Sequence, residues 1–263
     1  MPDSHALIES RSFFTRPVSL FSPIGWLVAG WRDFMRCPLP GLLHGAAVAL
    51  FGGLLCWRIS NHFWMLTGAF TGFLLVAPVI ATGLYAISRG LERGEPVNLS
   101  TAVRAWQPRD RRMVLFGMLL ALAGTGWVFT SATLIWAFAH ASVITPEDFL
   151  RVVVLDDKGW LFEAWLALGG LIAAPVFASS VVAMPMLLDR DISIMGAVLT
   201  SWRVVMANPV PLAAWGAAIA GFTLFGMATG LLAMPLVVPL LGHASWHAYR
   251  ELVGSVAQAT NAD

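Results

Sequence analysis

Charge is what this chain of 263 residues has least of: only 12% of it is Asp, Glu, Lys or Arg, about half the share of an average soluble domain. With 58% apolar residues and a mean hydropathy of +0.74 there is too little polar surface to cover a core in water, which excludes a soluble globular protein and leaves an integral membrane protein. Cysteine is nearly absent. Cys37 and Cys56 have neither metal-ligand nor redox spacing, so no disulfide framework is expected. A net charge of +1 supplies no basic field, and nucleic acid is not an expected partner. The N-terminus, interrupted by Asp3, Glu9, Arg11 and Arg16, lacks the apolar core of a cleavable signal and is expected to stay uncleaved and cytoplasmic. Ionisable groups are missing from the middle of every apolar stretch, which argues against an ion-coupled pump. No phosphate-binding glycine loop, nucleophile elbow or carboxylate pair is present, so neither enzymatic activity nor a cofactor is expected.

Long apolar runs are what the chain does have. Leu39–Trp57, Phe63–Ile87, Met113–Ala139 and Leu161–Leu188 each approach or exceed the roughly 20 residues that a helix needs to cross the hydrocarbon. A fifth run, Pro209–Leu241, is roughly 50 Å of helix, too long for one straight span and tight for two, so length alone leaves five or six spans open. Arginines sort to one side if the first four spans form two hairpins. Arg11, Arg16, Arg32 and Arg36 precede span one, Arg89, Arg93, Arg104, Arg109, Arg111 and Arg112 follow span two, and Arg190 and Arg203 follow span four. The other side receives Arg58, Arg151 and Lys158 with Glu147, Asp148, Asp156, Asp157 and Glu163, an acidic external loop from His140 to Trp160. The bias of Lys and Arg toward cytoplasmic loops then sets the N-terminus inside, and an even span count sets Arg250 and the C-terminus inside as well.

An internal repeat bears on the count. The segment Gly25–Pro40 returns 171 positions later as Gly196–Pro211, with Gly, Trp-Arg, Met and Pro-x-Pro in register. Ile24, Leu27, Val28, Trp31 and Met35 match Met195, Val198, Leu199, Trp202 and Met206, each set one stripe of an amphipathic helix. A fainter copy holds Leu99, Ala102, Val103 and Trp106. Downstream, Pro78, Pro185 and Pro239 recur near the inner half of a second helix. The pattern predicts an all-α polytopic membrane protein of three units, about 22–93, 98–190 and 191–254. Each is an amphipathic surface helix followed by a transmembrane hairpin, and 255–263 is a flexible tail. The last apolar run then folds back near Gly226–Gly230, giving six spans.

Pro38 and Pro209 are expected to end the surface helices, and Ser22 and Asp191 to cap their starts. Trp31, Trp106, Trp202 and Trp246, with Arg32, Arg203 and Arg250, are the expected membrane-interface residues. Facing lipid and packing on protein predict the same stripe, and both readings stay open. Span hydroxyls (Thr67, Thr71, Thr82, Thr125, Thr130, Thr133, Ser179, Ser180, Thr223, Thr229) are expected to bond across helices or to their own backbone. Gly41-xxx-Gly45, Gly68-xxx-Gly72 and Gly226-xxx-Gly230 read as close helix approach. His243 and His247 share a helix face, and His44 is a third candidate metal ligand. The reading preferred is interfacial histidines bonded to carbonyls, with no metal. Asp189-Arg190-Asp191 marks the inner end of span four, with a salt bridge between units as a further role.

Four motifs carry a family resemblance: Gly-Trp-x-x-x-Gly-Trp-Arg-Asp (Gly25–Asp33), Gly-Leu-Tyr-x-Ile-Ser-Arg (Gly83–Arg89), Leu-Leu-Asp-Arg-Asp (Leu187–Asp191) and Gly-His-Ala-x-Trp-His-Ala-Tyr-Arg (Gly242–Arg250). They resemble the bacterial integral membrane proteins grouped as domain of unknown function 2189, over nearly the whole chain and most specifically at the last motif. The resemblance implies a polytopic inner-membrane protein with no established activity. Members sometimes carry a label of likeness to cytochrome c oxidase subunit I, from which this chain departs in having about half the spans and only His44, His243 and His247 near its inner membrane face. The function expected is a non-enzymatic scaffold or accessory protein acting through lipids, another membrane complex or its own copies. The alternative is a transporter or channel for a small neutral or lipidic solute, and after that a haem or metal protein.

Overall fold

A computed structural model of the protein describes residues 2–58, 79–106, 111–156 and 159–255, and these are helical apart from one short two-stranded ribbon. Among them, four helical stretches are long and apolar enough to cross a membrane: Pro38–Trp57, Arg111–Phe138, Leu161–Asp189 and Pro209–Ala228. They match the first, third and fourth apolar runs and the first part of the fifth. Most of the Phe63–Ile87 run, with Thr67, Thr71, Gly68, Gly72 and Pro78, lies outside the described residues, as do Arg109, Asp157, Lys158 and the side chains of Arg58 and Trp106.

The chain divides into two compact units. The first (Met1–Ala49, Pro78–Phe116, Ala178–Asp263) holds α1 (Pro2–Arg11), β1 (Phe13–Thr15), α2 (Ser22–Arg36), the start of α3 (Pro38–Arg58), α4 (Thr82–Glu92), α5 (Leu99–Trp106) and the start of α6 (Arg111–Phe138). The second unit (Leu50–Ala77, Gly117–Phe177) takes the rest of α3 and α6, the short α7 (Pro146–Phe149) with a π-turn at Leu150–Val154, and most of α8 (Leu161–Ser180). The first unit resumes with α9 (Ala183–Asp189), α10 (Ile194–Ala207), α11 (Pro209–Ala228), α12 (Met234–Leu252) and β2 (Val253–Ser255).

Prolines set the breaks. Helix α2 ends at Cys37 (φ −141°, ψ 69°) and α3 starts on Pro38; α10 ends at Asn208 (φ −133°, ψ 52°) and α11 starts on Pro209. A proline cannot continue the preceding helix, yet suits a first turn, where an N–H would be orphaned anyway. The like torsions fall at corresponding positions of the repeated segment. Pro185 has no N–H for the carbonyl of Val181, and the helix is interrupted between Ser180 and Ala183. The last apolar run folds back between Ala228 and Met234, where Gly230 (φ 63°) and Leu231 (φ 71°) take the left-handed conformation. The caps differ from expectation. The Ser22 hydroxyl donates to Glu251 (2.8 Å) instead of capping α2. Ser193 caps α10 by accepting from the Gly196 amide (3.0 Å), while Asp191 pairs with Arg112 (2.8 Å).

Helix α12 is the axis of the first unit. It lies so close to α2 and α3 that a Cβ on Gly30 would stand 2.6 Å from the Ala244 amide nitrogen and one on Gly45 would meet the Met234 carbonyl. Gly41 faces Pro239 and Phe34, so Gly41-xxx-Gly45 is a close helix approach, as expected. Gly226 meets the Met234 side chain, whereas Gly230 serves the turn instead. At the N-terminus β1 pairs antiparallel with β2, Phe13 opposite Ser255, so Ser255 is a strand residue and not tail. Asn208 holds the connecting segment, donating to the Arg16 carbonyl (3.0 Å) and accepting from the Val18 amide (2.9 Å).

The second unit has its own apolar centre, where Ile135, Val153 and Leu161 are buried and Trp165 packs against Trp127, Phe149 and Phe162. Trp165 Nε1 donates to Ser131 Oγ (2.7 Å). In the loop that follows α6 the Ile144 and Thr145 amides donate to Asp148 Oδ2, and the Asp148 amide donates to Thr145 Oγ1. Those bonds hold the Asp148 carboxyl below the usual carboxylate range. Thr125, Thr130, Thr223 and Thr229 bond to their own helix carbonyls, as expected.

Candidate functional site

The C-terminal half of α12 carries a run of polar side chains that between them reach three other helices of the first unit. Glu251 accepts from Trp26 Nε1 (2.7 Å) and Ser22 of α2. His247 Nε2 lies 2.8 Å from Asp33 Oδ2, also on α2. His243 Nδ1 lies 2.8 Å from Ser88 Oγ on α4. Trp246 Nε1 and Arg250 Nε donate to the Glu92 carboxylate at the end of α4 (3.1 and 2.9 Å). Tyr249 donates to Asp189 at the end of α9 (2.9 Å), and the same carboxylate meets Arg93 (3.1 Å), Arg190 (3.2 Å) and Arg250 (3.6 Å). The closing motif Gly242–Arg250 is thus a clamp in which one helix ties α2, α4 and α9 together through charge-assisted bonds.

Helical spacing explains the arrangement. Gly242, Trp246 and Tyr249 recur at i, i+4 and i+7 on a buried face, with Gly242 admitting Leu84. Tyr249, with its hydroxyl buried against Asp189, has its pKa raised by loss of solvent and by that negative charge. His243 Nε2 is buried and has no hydrogen-bond partner among the described residues. Among the described residues no group of three His, Cys, Asp or Glu side chains is placed to hold a metal, and His44, His243 and His247 do not converge as one. His44 Nδ1 meets the Pro40 carbonyl (2.7 Å), while His243 and His247, for which carbonyl partners were expected, bond to side chains instead.

Asp33 shows a resolved balance of forces. Burial acts to raise its carboxyl pKa, but the bonds from His247 and Ser88 and the nearby histidines outweigh it, and the group sits below its ordinary value of 3.8. A carboxylate favoured in the folded state adds stability that is complete above the unfolded value and is lost as pH falls through the lower, folded one. Asp33→Asn is therefore expected to lower stability at pH 7 by about 1.5–3 kcal/mol, with the gap from the unaltered protein closing below about pH 4. Unfolding midpoints measured from pH 7 to pH 3 check this, and a gap independent of pH would contradict it.

The expected interface residues divide. Trp31 and Arg32 are exposed on α2. Trp202 is 39% exposed and donates to Ser179 (2.9 Å). Arg203 is exposed, but its guanidinium donates to the Ser10 carbonyl (2.6 Å) and so holds α1 in place. Trp106 has no described side chain. Trp246 departs from expectation: it is fully buried inside the clamp, because its position three residues after His243 puts it on the packed face of α12. Arg250 belongs to the clamp as well. Asp33, Ser88, Glu92 and Glu251 were not marked in the sequence as partners. For the three acids the signal available was their sign, standing among arginines; Ser88 carried none.

The surface helices bury the face opposite to the one their apolar stripes suggest. Helix α2 packs through Pro23, Trp26, Gly30, Asp33 and Phe34, and α10 through Gly196, Ala197, Thr200, Ser201 and Val204. The repeated stripe points outward: Trp31 is 44% exposed, Met35 58%, Met195 55% and Met206 73%. In α5 Ala102 is buried while Leu99 and Val103 are exposed.

The family described as predicted integral membrane protein, DUF2189, matches residues 65–189. That match takes in the Gly83–Arg89 motif and the start of Leu187–Asp191, but neither Gly25–Asp33 nor the clamp motif Gly242–Arg250. With the four apolar helices it makes this an integral membrane protein. No curated protein and no solved structure matches the chain.

Proposed function

We propose that the protein is a non-enzymatic scaffold or accessory protein of a bacterial inner membrane, working by contact with lipid headgroups and with another membrane complex or a second copy of itself. The observation that carries this reading is the outward apolar stripe on α2, repeated on α10, with Leu99 and Val103 of α5 exposed as well. Left in water, each large side chain forgoes about 1.5–3 kcal/mol of burial, and a helix with arginines beside such a stripe suits the headgroup boundary. Arg32 and Arg36 flank the stripe of α2.

Charge and strand pairing support an orientation. Arg32, Arg36, Arg89, Arg93, Arg104, Arg190, Arg203 and Arg250 favour a cytoplasmic position for the helix ends that carry them. The antiparallel pairing of Phe13–Thr15 with Val253–Ser255 supports an even number of crossings between them, six over five, and with it three repeated units. Native mass spectrometry of protein extracted in mild detergent tests the function. Retained phospholipid or a co-extracted membrane protein is expected, with lipid adducts reduced by Val28→Ser combined with Met35→Ser. A solitary, lipid-free monomer would count against the reading.

A further inference from the structure

A cleft of about 570 Å³ opens in the first unit between α4, α5, the start of α6 and the connection from α9 to α10. Four arginines from four chain segments line it, Arg89, Arg104, Arg112 and Arg190, and among the described lining residues Asp189 and Asp191 are the acidic ones. The carboxylates are already engaged. Asp189 is held by Tyr249, Arg93 and Arg190, and Asp191, fully exposed, touches Arg112 at the rim.

Three of the guanidinium groups are anchored by carbonyls. Arg89 donates to the Leu188 carbonyl (2.6 Å), Arg104 to the Ser100 carbonyl (3.1 Å) and Arg112 to the Ile192 carbonyl (2.7 Å). A neutral acceptor fixes the Arg89 and Arg104 side chains without cancelling their charge, whereas Arg112 and Arg190 also meet Asp191 and Asp189, and a guanidinium has five N–H donors. Fixed, charged forks from separate segments converging on one cleft are a preorganised receptor for a tetrahedral oxyanion.

We infer that this cleft binds a phosphate group, carried by an anionic lipid headgroup or free in solution. Helix α5 supports the first source, since exposed Leu99 and Val103 precede Arg104 on a helix whose other face is packed on α4. The inference goes beyond the interfacial reading and does not depend on it, because free phosphate needs no lipid contact by the stripes.

The test uses the full chain purified in detergent and titrated with three probes: inorganic phosphate at matched ionic strength, dioctanoyl-phosphatidylglycerol, and dioctanoylglycerol, which lacks the phosphate. Phosphatidylglycerol binding without inorganic phosphate binding identifies a lipid headgroup, and inorganic phosphate binding identifies the free ion; either supports the inference. Arg104→Gln, whose side chain is exposed and bonds only within its own helix turn among the contacts seen, is expected to weaken binding about tenfold without moving the unfolding midpoint. Arg11→Gln, exposed at the end of α1 and away from both the cleft and the stripes, is expected to leave binding unchanged. The inference is overturned if neither phosphate-bearing probe binds, if dioctanoylglycerol binds equally well, or if Arg11→Gln weakens binding as much as Arg104→Gln.

Discussion

Asp189→Ala is expected to cost about 3–5 kcal/mol and to lower the unfolding midpoint in detergent by about 10 °C. The carboxylate is only 5% exposed and is the shared acceptor for Tyr249, Arg93, Arg190 and Arg250. Its removal leaves one buried hydroxyl without an acceptor and three guanidinium groups facing one another, and the loss is therefore larger than that of one surface ion pair. Asp189→Asn keeps an acceptor for Tyr249 but loses the charge, so an intermediate fall is expected. Equal stability of the alanine variant and the unaltered protein would mean that the clamp does not hold the first unit together.

Gly30→Val is expected to be at least as damaging, about 3 kcal/mol or more, and to reduce the yield of monodisperse protein. A Cβ there meets the Ala244 amide nitrogen at 2.6 Å and the Leu240 carbonyl at 2.9 Å, both of them backbone that cannot swing aside. Helices α2 and α12 would have to separate, uncovering Trp26, which is 1% exposed, and parting Asp33 from His247. Gly25, on the same helix, has nothing within 4 Å of where its Cβ would stand. Gly25→Ala should raise the midpoint slightly through helix propensity, by up to about 1 kcal/mol. Size-exclusion profiles and unfolding midpoints of the two variants separate a close-packing effect from a general intolerance of substitution in α2.

The breaks in the helices were readable from the residues alone, since Pro38, Pro185 and Pro209 act through their own missing N–H and Gly230 through its own freedom at positive φ. The glycines at positions 41 and 45 were readable for a similar reason, because small residues at that spacing serve little else in an apolar helix. The direction of the amphipathic stripes was not. An apolar face looks the same in sequence whether protein or lipid covers it, and here the buried face of α2 is built from Gly30, Asp33 and Trp26.

The clamp was legible only in part. Arg250, Asp189 and the two histidines drew attention individually, but apart from the neighbouring Asp189–Arg190 pair their partners lie 60 to 214 positions away, and nothing local encodes such a pairing. Trp246 shows the same gap. A tryptophan near an arginine at a helix end fits the membrane boundary, and only the position of Glu92, 154 residues away, gives its buried indole N–H an acceptor.

The most direct test of the interfacial account places an environment-sensitive fluorophore on the outward stripe. With Cys37 and Cys56 replaced by serine, Met35→Cys and Met206→Cys would each be labelled with a nitrobenzoxadiazole group and the protein reconstituted into nanodiscs. Quenching by lipid brominated close to the headgroup, with protection from iodide in the water, is the expected result at both positions. Iodide quenching with no effect of brominated lipid at either position would contradict the account, because the stripe would then face water.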